Sequence, residues 1–172
     1  HYLPDMLSDH LRPLGVGLSV ELPEILDTGG GLKAALPMLK ADPVITMNTD
    51  AIWSGPNPLD LLLAEWDPER MDALLICVPL QNAVGRKGGG DFARDAAGRL
   101  NRRGDLVYGG AQIIRTAEVA QFPDTAFSMN AIWDILHSRG RLYGAVYPGR
   151  WCDVGHPEGL ELAESLLSEP HV

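Results

Sequence analysis

With only two cysteines in 172 residues, the sequence carries no disulfide framework, because small disulfide-stapled folds are dense in cysteine. Cys77 lies inside the run Ala73-Leu74-Leu75-Ile76-Cys77-Val78 and reads as a small core residue. Long hydrophobic runs are also lacking: no uninterrupted apolar stretch nears the ~20 residues a membrane helix needs, so a reduced, cytoplasmic setting is the default. Positive charge is scarce. Fourteen Lys and Arg against 23 Asp and Glu give a net charge of −9, which argues against a nucleic-acid partner, since such surfaces collect cations to neutralise phosphates. An anionic substrate would need local cations or a bound metal ion. Arg86, Lys87, Arg94, Arg99, Arg102 and Arg103 fall in one short segment, which reads equally as a phosphate-contacting stretch or the solvated face of a hairpin. The histidines, His1, His10, His137, His156 and His171, show no zinc-site spacing.

What is present fits one globular domain over residues 1–172, with 45% hydrophobic and 22% charged residues. Leu3, Leu7 and Leu11 take up helical spacing at once after His1, so the chain reads as beginning within a fold. Val16 to Glu21 alternates like a short strand, Leu32 to Leu39 reads as a helix, and a strand runs from Asp42-Pro43 to Asp50. A helix over Pro58–Glu65 and a buried strand over Asp72–Pro79 follow. This alternation predicts a parallel sheet covered by helices on both faces. Further on, two short strands joined by Asp95-Ala96-Ala97-Gly98, a strand over Leu106–Ile114, a helix over Asn130–Ser138, a strand over Leu142–Tyr147 and a helix from Pro157 to about Leu167 are expected.

Chemistry concentrates in two places. Leu26-Asp27-Thr28-Gly29-Gly30-Gly31-Leu32 puts three glycines at a helix start, where bare backbone can approach a ligand and free amides favour anions. The run Val44-Ile45-Thr46-Met47-Asn48-Thr49 then delivers Asp50, at the end of a strand where open α/β sheets bind ligands. The second place is Gly149-Arg150-Trp151-Cys152-Asp153-Val154-Gly155-His156-Pro157-Glu158. Asp153 alone reads equally as a helix cap. Paired with Asp50, it suits a hard divalent cation such as Mg²⁺, which takes oxygen ligands and retains water and phosphate oxygens.

Taken in order, Glu24 with Leu26–Gly31, Asn48-Thr49-Asp50, Gly90-Asp91-Phe92 with Asp95 and Gly98-Arg99-Leu100, Tyr108–Ile114 and Trp151–Pro157 resemble the sugar-phosphate nucleotidyltransferases, or nucleoside-diphospho-sugar pyrophosphorylases. The likeness is closest to bacterial members of the N-acetylmuramate-1-phosphate uridylyltransferase and mannose-1-phosphate guanylyltransferase type. It implies a Rossmann-like α/β fold with a mixed, mainly parallel sheet flanked by helices. It also implies that Asp50 and Asp153 bind Mg²⁺, that Asp27, Thr28 and Gly29 approach the base and ribose, and that Gly90, Tyr108 and Gly110 line the sugar side. Glu24 and Asn130 would add polar contacts there, with Trp133 bordering the sugar. Such enzymes open on a strand and a loop of the form Leu-Ala-Ala-Gly-x-Gly-x-Arg, followed later by Lys-Pro. That stretch is absent, so the chain reads as lacking its first strand-helix units, some ~60 residues, and as inactive by itself. Three departures bear on sugar choice: Thr49 before Asp50 where glycine is usual, Gly109-Gly110 where Thr-Gly is common, and His156 where threonine is usual.

The reaction implied is attack of a sugar 1-phosphate oxygen on the α-phosphorus of a nucleoside triphosphate, with pyrophosphate leaving. UTP with N-acetylmuramate 1-phosphate is slightly favoured over GTP with mannose 1-phosphate. Two rivals are weighed. A nucleotide-sugar-dependent glycosyltransferase would place a second acidic residue where Ile52 stands, and a non-catalytic regulatory homologue would have lost the two aspartates. The spaced fingerprint of a dinucleotide oxidoreductase is missing.

Overall fold

The computed structural model describes residues 1–168, so His171 lies outside the described residues. In chain order the elements begin α1 (Pro4–Leu11), α2 (Asp27–Leu39), β1 (Val44–Met47), β2 (Ala51–Ser54), α3 (Pro58–Glu65), β3 (Ala73–Pro79), β4 (Ala83–Val84) and β5 (Gly90–Arg94). They continue β6 (Leu100–Gly104), β7 (Leu106–Ile114), α4 (Ala117–Gln121), α5 (Met129–Ser138), β8 (Leu142–Val146), β9 (Arg150–Asp153) and α6 (Pro157–Ser168). The chain divides into two compact units: His1–Val44 with Arg115–Ile135, and Ile45–Ile114 with Leu136 onward.

In the first unit α2 starts five residues earlier than the apolar pattern suggests, taking in all three glycines. The cause is packing. Gly29 and Gly30 are buried, and their amides donate to Phe127 O at 2.9 and 3.1 Å. A Cβ on Gly29 would stand 2.3 Å from the Phe127 ring, and one on Gly30 would stand 2.3 Å from the Thr125 carbonyl. The strand expected over Val16–Glu21 is absent. Val16 and Val20, 52% and 40% exposed, have no buried face to lie on, so alternation alone does not make a strand there.

The second unit holds two sheets. The larger runs β6-β5-β7-β3-β8 with β1 also on β7, and the smaller runs β2-β9-β4. The fold is mixed α/β as expected, but a parallel majority does not hold among the described pairings. Only β3–β8 and β4–β9 are parallel, whereas β3–β7, β5–β6, β5–β7 and β2–β9 are antiparallel. A tight connection imposes this on β5–β6, because strands joined by a few residues can pair only antiparallel, whereas the other antiparallel pairs meet across longer stretches of chain. At the β5–β6 turn, Asp95 Oδ1 accepts from the amides of Ala97 and Arg99 at 2.9 and 2.8 Å, and Gly98 supplies the required φ of +90°.

Residues 73–78 of β3 are all buried, as a strand covered on both faces should be. Leu62 of α3 joins Leu74, Ile76, Val78, Val107, Ile113, Tyr143, Tyr147 and Trp151 in the main core. Each large side chain removed from water there contributes about 1.5–3 kcal/mol before conformational entropy is counted. The helix α3 has the predicted bounds: Pro58 opens it and Asn57 Oδ1 accepts the Leu59 amide at 2.9 Å.

Candidate active site

The strand expected to end at Asp50 stops at Met47, and a second strand, β2, follows after a turn through Asn48-Thr49-Asp50. The reason is a change of sheet, since β1 pairs with β7 and β2 pairs with β9. In the β2–β9 ladder Ala51 faces Asp153, and the Asp50 carbonyl accepts the Val154 amide at 2.9 Å. Main-chain pairing therefore brings the two aspartates side by side from positions about a hundred residues apart. Both are exposed. Their carboxylates flank one point over Gly155, where a Cβ would stand 3.1 Å from Asp153 Oδ1 and 3.4 Å from Asp50 Oδ2. The two oxygens can be no farther apart than those lengths laid end to end. Asp50 and Asp153 would hold a Mg²⁺ ion at this point, a hard cation that takes carboxylate oxygens and keeps several waters. Asp153 Oδ1 also accepts the Gly155 amide at 2.8 Å, which orients the carboxylate. Among the described residues no group of three or more His, Cys, Asp or Glu is placed to hold a metal ion. The pair alone fits Mg²⁺, which usually keeps several waters and substrate oxygens, and suits zinc poorly.

Of the residues assigned to the sugar side, Gly110 lies next to this turn: its carbonyl accepts the Asn48 amide at 2.8 Å. Tyr108 is held at both ends. Its amide donates to Asp91 Oδ2 at 2.9 Å, and its side chain hydrogen-bonds Thr46, whose hydroxyl also accepts from Gln112 Nε2 at 3.1 Å. Burial pushes the phenol well above its ordinary range, with the Thr46 bond pulling the other way, so Tyr108 stays a neutral hydroxyl. Gly90 has a packing reason of its own, since a Cβ would stand 2.7 Å from both Gly104 O and the Leu106 amide nitrogen.

The residues assigned to the nucleotide lie in the first unit. Asp27 opens α2 with φ of 61°, and its Oδ1 accepts the Thr28 amide. The Thr28 hydroxyl accepts the Met129 amide at 2.9 Å and so serves the start of α5. Because Phe127 O takes the Gly29 amide, a glycine whose N–H was expected to be free for a ligand is already bonded. Glu24 is exposed, and Asn130 is exposed with its side chain donating to Ser128 Oγ at 3.2 Å. Trp133 is buried at 6% exposure and packs in the core.

The basic segment divides by contact. Arg94 Nε donates to Gly144 O at 2.7 Å, Arg102 stacks over Phe92, Arg86 pairs with Asp91 at 2.8 Å, and Lys87 pairs with Glu158 of α6 at 3.0 Å. Arg99 and Arg103 are exposed. Sequence reasoning missed the parts played by Thr46, Gln112, Asp91 and Gly155. The sequence signal for Gly155 is its place in the Trp151–Pro157 motif, two residues after Asp153.

Burial also raises the Cys77 thiol, from 9.0 to about 12, with Arg94 opposing. A folded value above the unfolded one adds stability that is complete below pH 9 and is lost as pH rises from 9 toward 12. Native protein is expected to leave Cys77 unlabelled by a thiol reagent at pH 8, with labelling appearing only on denaturation, and to show a falling melting temperature across that alkaline range.

Comparison with solved structures defines the class of fold. HddC from Yersinia pseudotuberculosis, complexed with GMP-PN, superposes with a TM-score of 0.70 at 22% identity, over 95% of this chain and 75% of that one. The inositol-1-phosphate CTP transferase of T. maritima superposes with a TM-score of 0.70 at 13% identity, over 100% of this chain and 76% of the other. The architecture is that of the nucleotidyltransferases. No family model matches the sequence. A curated relative, N-acetylmuramate alpha-1-phosphate uridylyltransferase of Caulobacter vibrioides, is 35% identical over 98% of this chain and 76% of its own length. The chain belongs to the sugar-phosphate nucleotidyltransferase family. No helix among the described residues is long and apolar enough to cross a membrane.

Proposed function

We propose that the protein transfers a nucleotidyl group from a nucleoside triphosphate to a sugar 1-phosphate in the cytoplasm, using the Asp50 and Asp153 carboxylates to hold Mg²⁺. The observation that carries this reading is the pair of oxygens flanking Gly155 on a ladder that no local sequence signal builds. A sugar-phosphate oxygen forms a bond to the α-phosphorus as the bond to the β-phosphate bridging oxygen breaks, and pyrophosphate departs with that electron pair. Because the nucleophile is ionised near neutral pH, no side chain has to remove a proton, and catalysis reduces to in-line positioning and charge neutralisation. When bound, Mg²⁺ would supply neutralisation of the phosphate charge as the P–O bonds exchange. Asp50 and Asp153 set the acidic position by their main-chain pairing. The Gly155 amide keeps the Asp153 carboxylate turned toward the shared point. UTP and an N-acetylmuramate 1-phosphate are the favoured pair, on the strength of the 35% identical relative.

The test is pyrophosphate release by the full-length protein across a matrix of nucleoside triphosphates and sugar 1-phosphates. Turnover is expected to be highest for UTP with the muramic sugar and to require a divalent cation. Turnover in chelator equal to that in Mg²⁺ would overturn the metal assignment, and preference for GTP with mannose 1-phosphate would overturn the substrate assignment.

A further inference from the structure

The residues on either side of the Asp50 turn rest on a single dipeptide of the large sheet. On one side, the Asn48 amide donates to Gly110 O at 2.8 Å, and a Cβ on Gly110, whose φ is +89°, would stand 3.0 Å from Asn48 Cβ. On the other side, the Trp53 ring lies over Gly109: a Cβ there would meet Trp53 Cη2 at 2.6 Å and Val78 Cγ2 at 3.2 Å. Trp53 is in turn paired across the small sheet with Trp151, edge to face at 6.5 Å, and packs edge-on to Tyr147 at 4.9 Å. Two steps along the same ladder, past Ile52 with Cys152, Ala51 pairs with Asp153. The segment carrying Asp50 is thus an arch whose two feet stand on bare backbone of β7.

We propose that Gly109-Gly110 is a positioning element for the Asp50–Asp153 pair. The absence of side chains at this step sets how low the arch lies, and so where the Asp50 carboxylate meets that of Asp153. The inference rests on the metal-binding reading above and extends it to residues that touch neither the ion nor its ligands. It also accounts for one departure from the family pattern. Where threonine is common, this chain has Gly109, and the Trp53 ring fills the space a side chain would take. Indole is rigid and held between Tyr147 and Trp151, so a methyl on Gly109 moves β2 as well as the ring tip. Metal sites tolerate little of this, since ligand distances must hold within ~0.2 Å.

The experiment measures Mn²⁺ binding to the full-length protein by calorimetry, alongside circular dichroism and the melting temperature. Gly109→Ala is expected to weaken Mn²⁺ binding about tenfold, the scale of changes to groups that orient metal ligands, while the fold persists. Trp53→Leu, which empties the same space instead of crowding it, should weaken binding in its own right. The Gly109→Ala/Trp53→Leu protein should bind more tightly than either single variant, because the added methyl replaces part of the removed ring. A folded Gly109→Ala protein that binds Mn²⁺ like wild type overturns the proposal, as does a double variant no better than the weaker single. If Gly109→Ala does not fold, wild-type-like binding by Trp53→Leu overturns it. A wild-type protein that takes up no Mn²⁺ removes the metal reading itself, and this inference with it.

Discussion

Asp50→Asn and Asp153→Asn are each expected to lower kcat/KM for pyrophosphate release by about 10²–10³-fold, the scale seen when one preorganised electrostatic contact to a reacting group is removed. An amide keeps the size and the oxygen acceptor but loses the charge that makes a carboxylate a ligand for a hard cation. Both variants should fold normally. Both side chains are exposed, and the Val154 amide bonds to the carbonyl of Asp50, which the substitution leaves in place. Asp153→Asn keeps an oxygen able to accept the Gly155 amide, so the local turn persists as well. Activity measured against Mg²⁺ concentration separates the cases. Loss of a ligand shifts the curve to higher Mg²⁺, whereas a fall in rate with no shift would mean the aspartates act in some other way. Wild-type turnover in either variant would remove the proposed mechanism.

Gly30→Ala is expected to destabilise the protein by about 1–3 kcal/mol, the cost of forcing atoms into a filled space. The new methyl would stand 2.3 Å from the Thr125 carbonyl, which is main chain and cannot swing aside as a side-chain tip does. Alanine's better helix propensity returns up to about 1 kcal/mol, which fixes the lower part of that range. Gly29→Ala meets the Phe127 ring and Phe127 O, so it should act in the same direction. Thermal or urea unfolding measures both. A Gly30→Ala protein as stable as wild type would show that α2 does not lie against residues 125–127 as described.

The glycine variants also show where the sequence was legible and where it was not. Helix α3, strands β3 and β7, the β5–β6 hairpin and the start of α6 could be read because each has a local cause: Pro58 after Asn57, an unbroken apolar run, an Asp-Ala-Ala-Gly turn, Pro157 in a first turn. Pairing direction was not legible, because it depends on which strands meet. The alternation that suggested parallel neighbours cannot distinguish β3 beside β8 from β3 beside β7. The triple glycine is ambiguous in a related way. Bare backbone and free amides at a helix start look the same in sequence whether a ligand or Phe127 approaches them. Asp50 and Asp153 could be named from their motifs, but the break in the strand at Asn48 that puts them side by side has no local signature. It arises from Asn48 pairing with Gly110 and Ala51 with Asp153, two contacts made with distant parts of the chain.

The ends of the sheets carry a consequence for how the protein behaves in a crowded solution. The small sheet terminates in β2, with four residues, and β4, with two, so each offers another chain too few open amides to extend. The large sheet terminates on one side in β6, where Arg102 and Arg103 sit side by side. Docking a second strand there would bring its backbone against adjacent cations, a common way of keeping natural sheets from joining edge to edge. The exposed Arg103, beside an Arg102 stacked over Phe92, thus guards this edge against unwanted growth of the sheet.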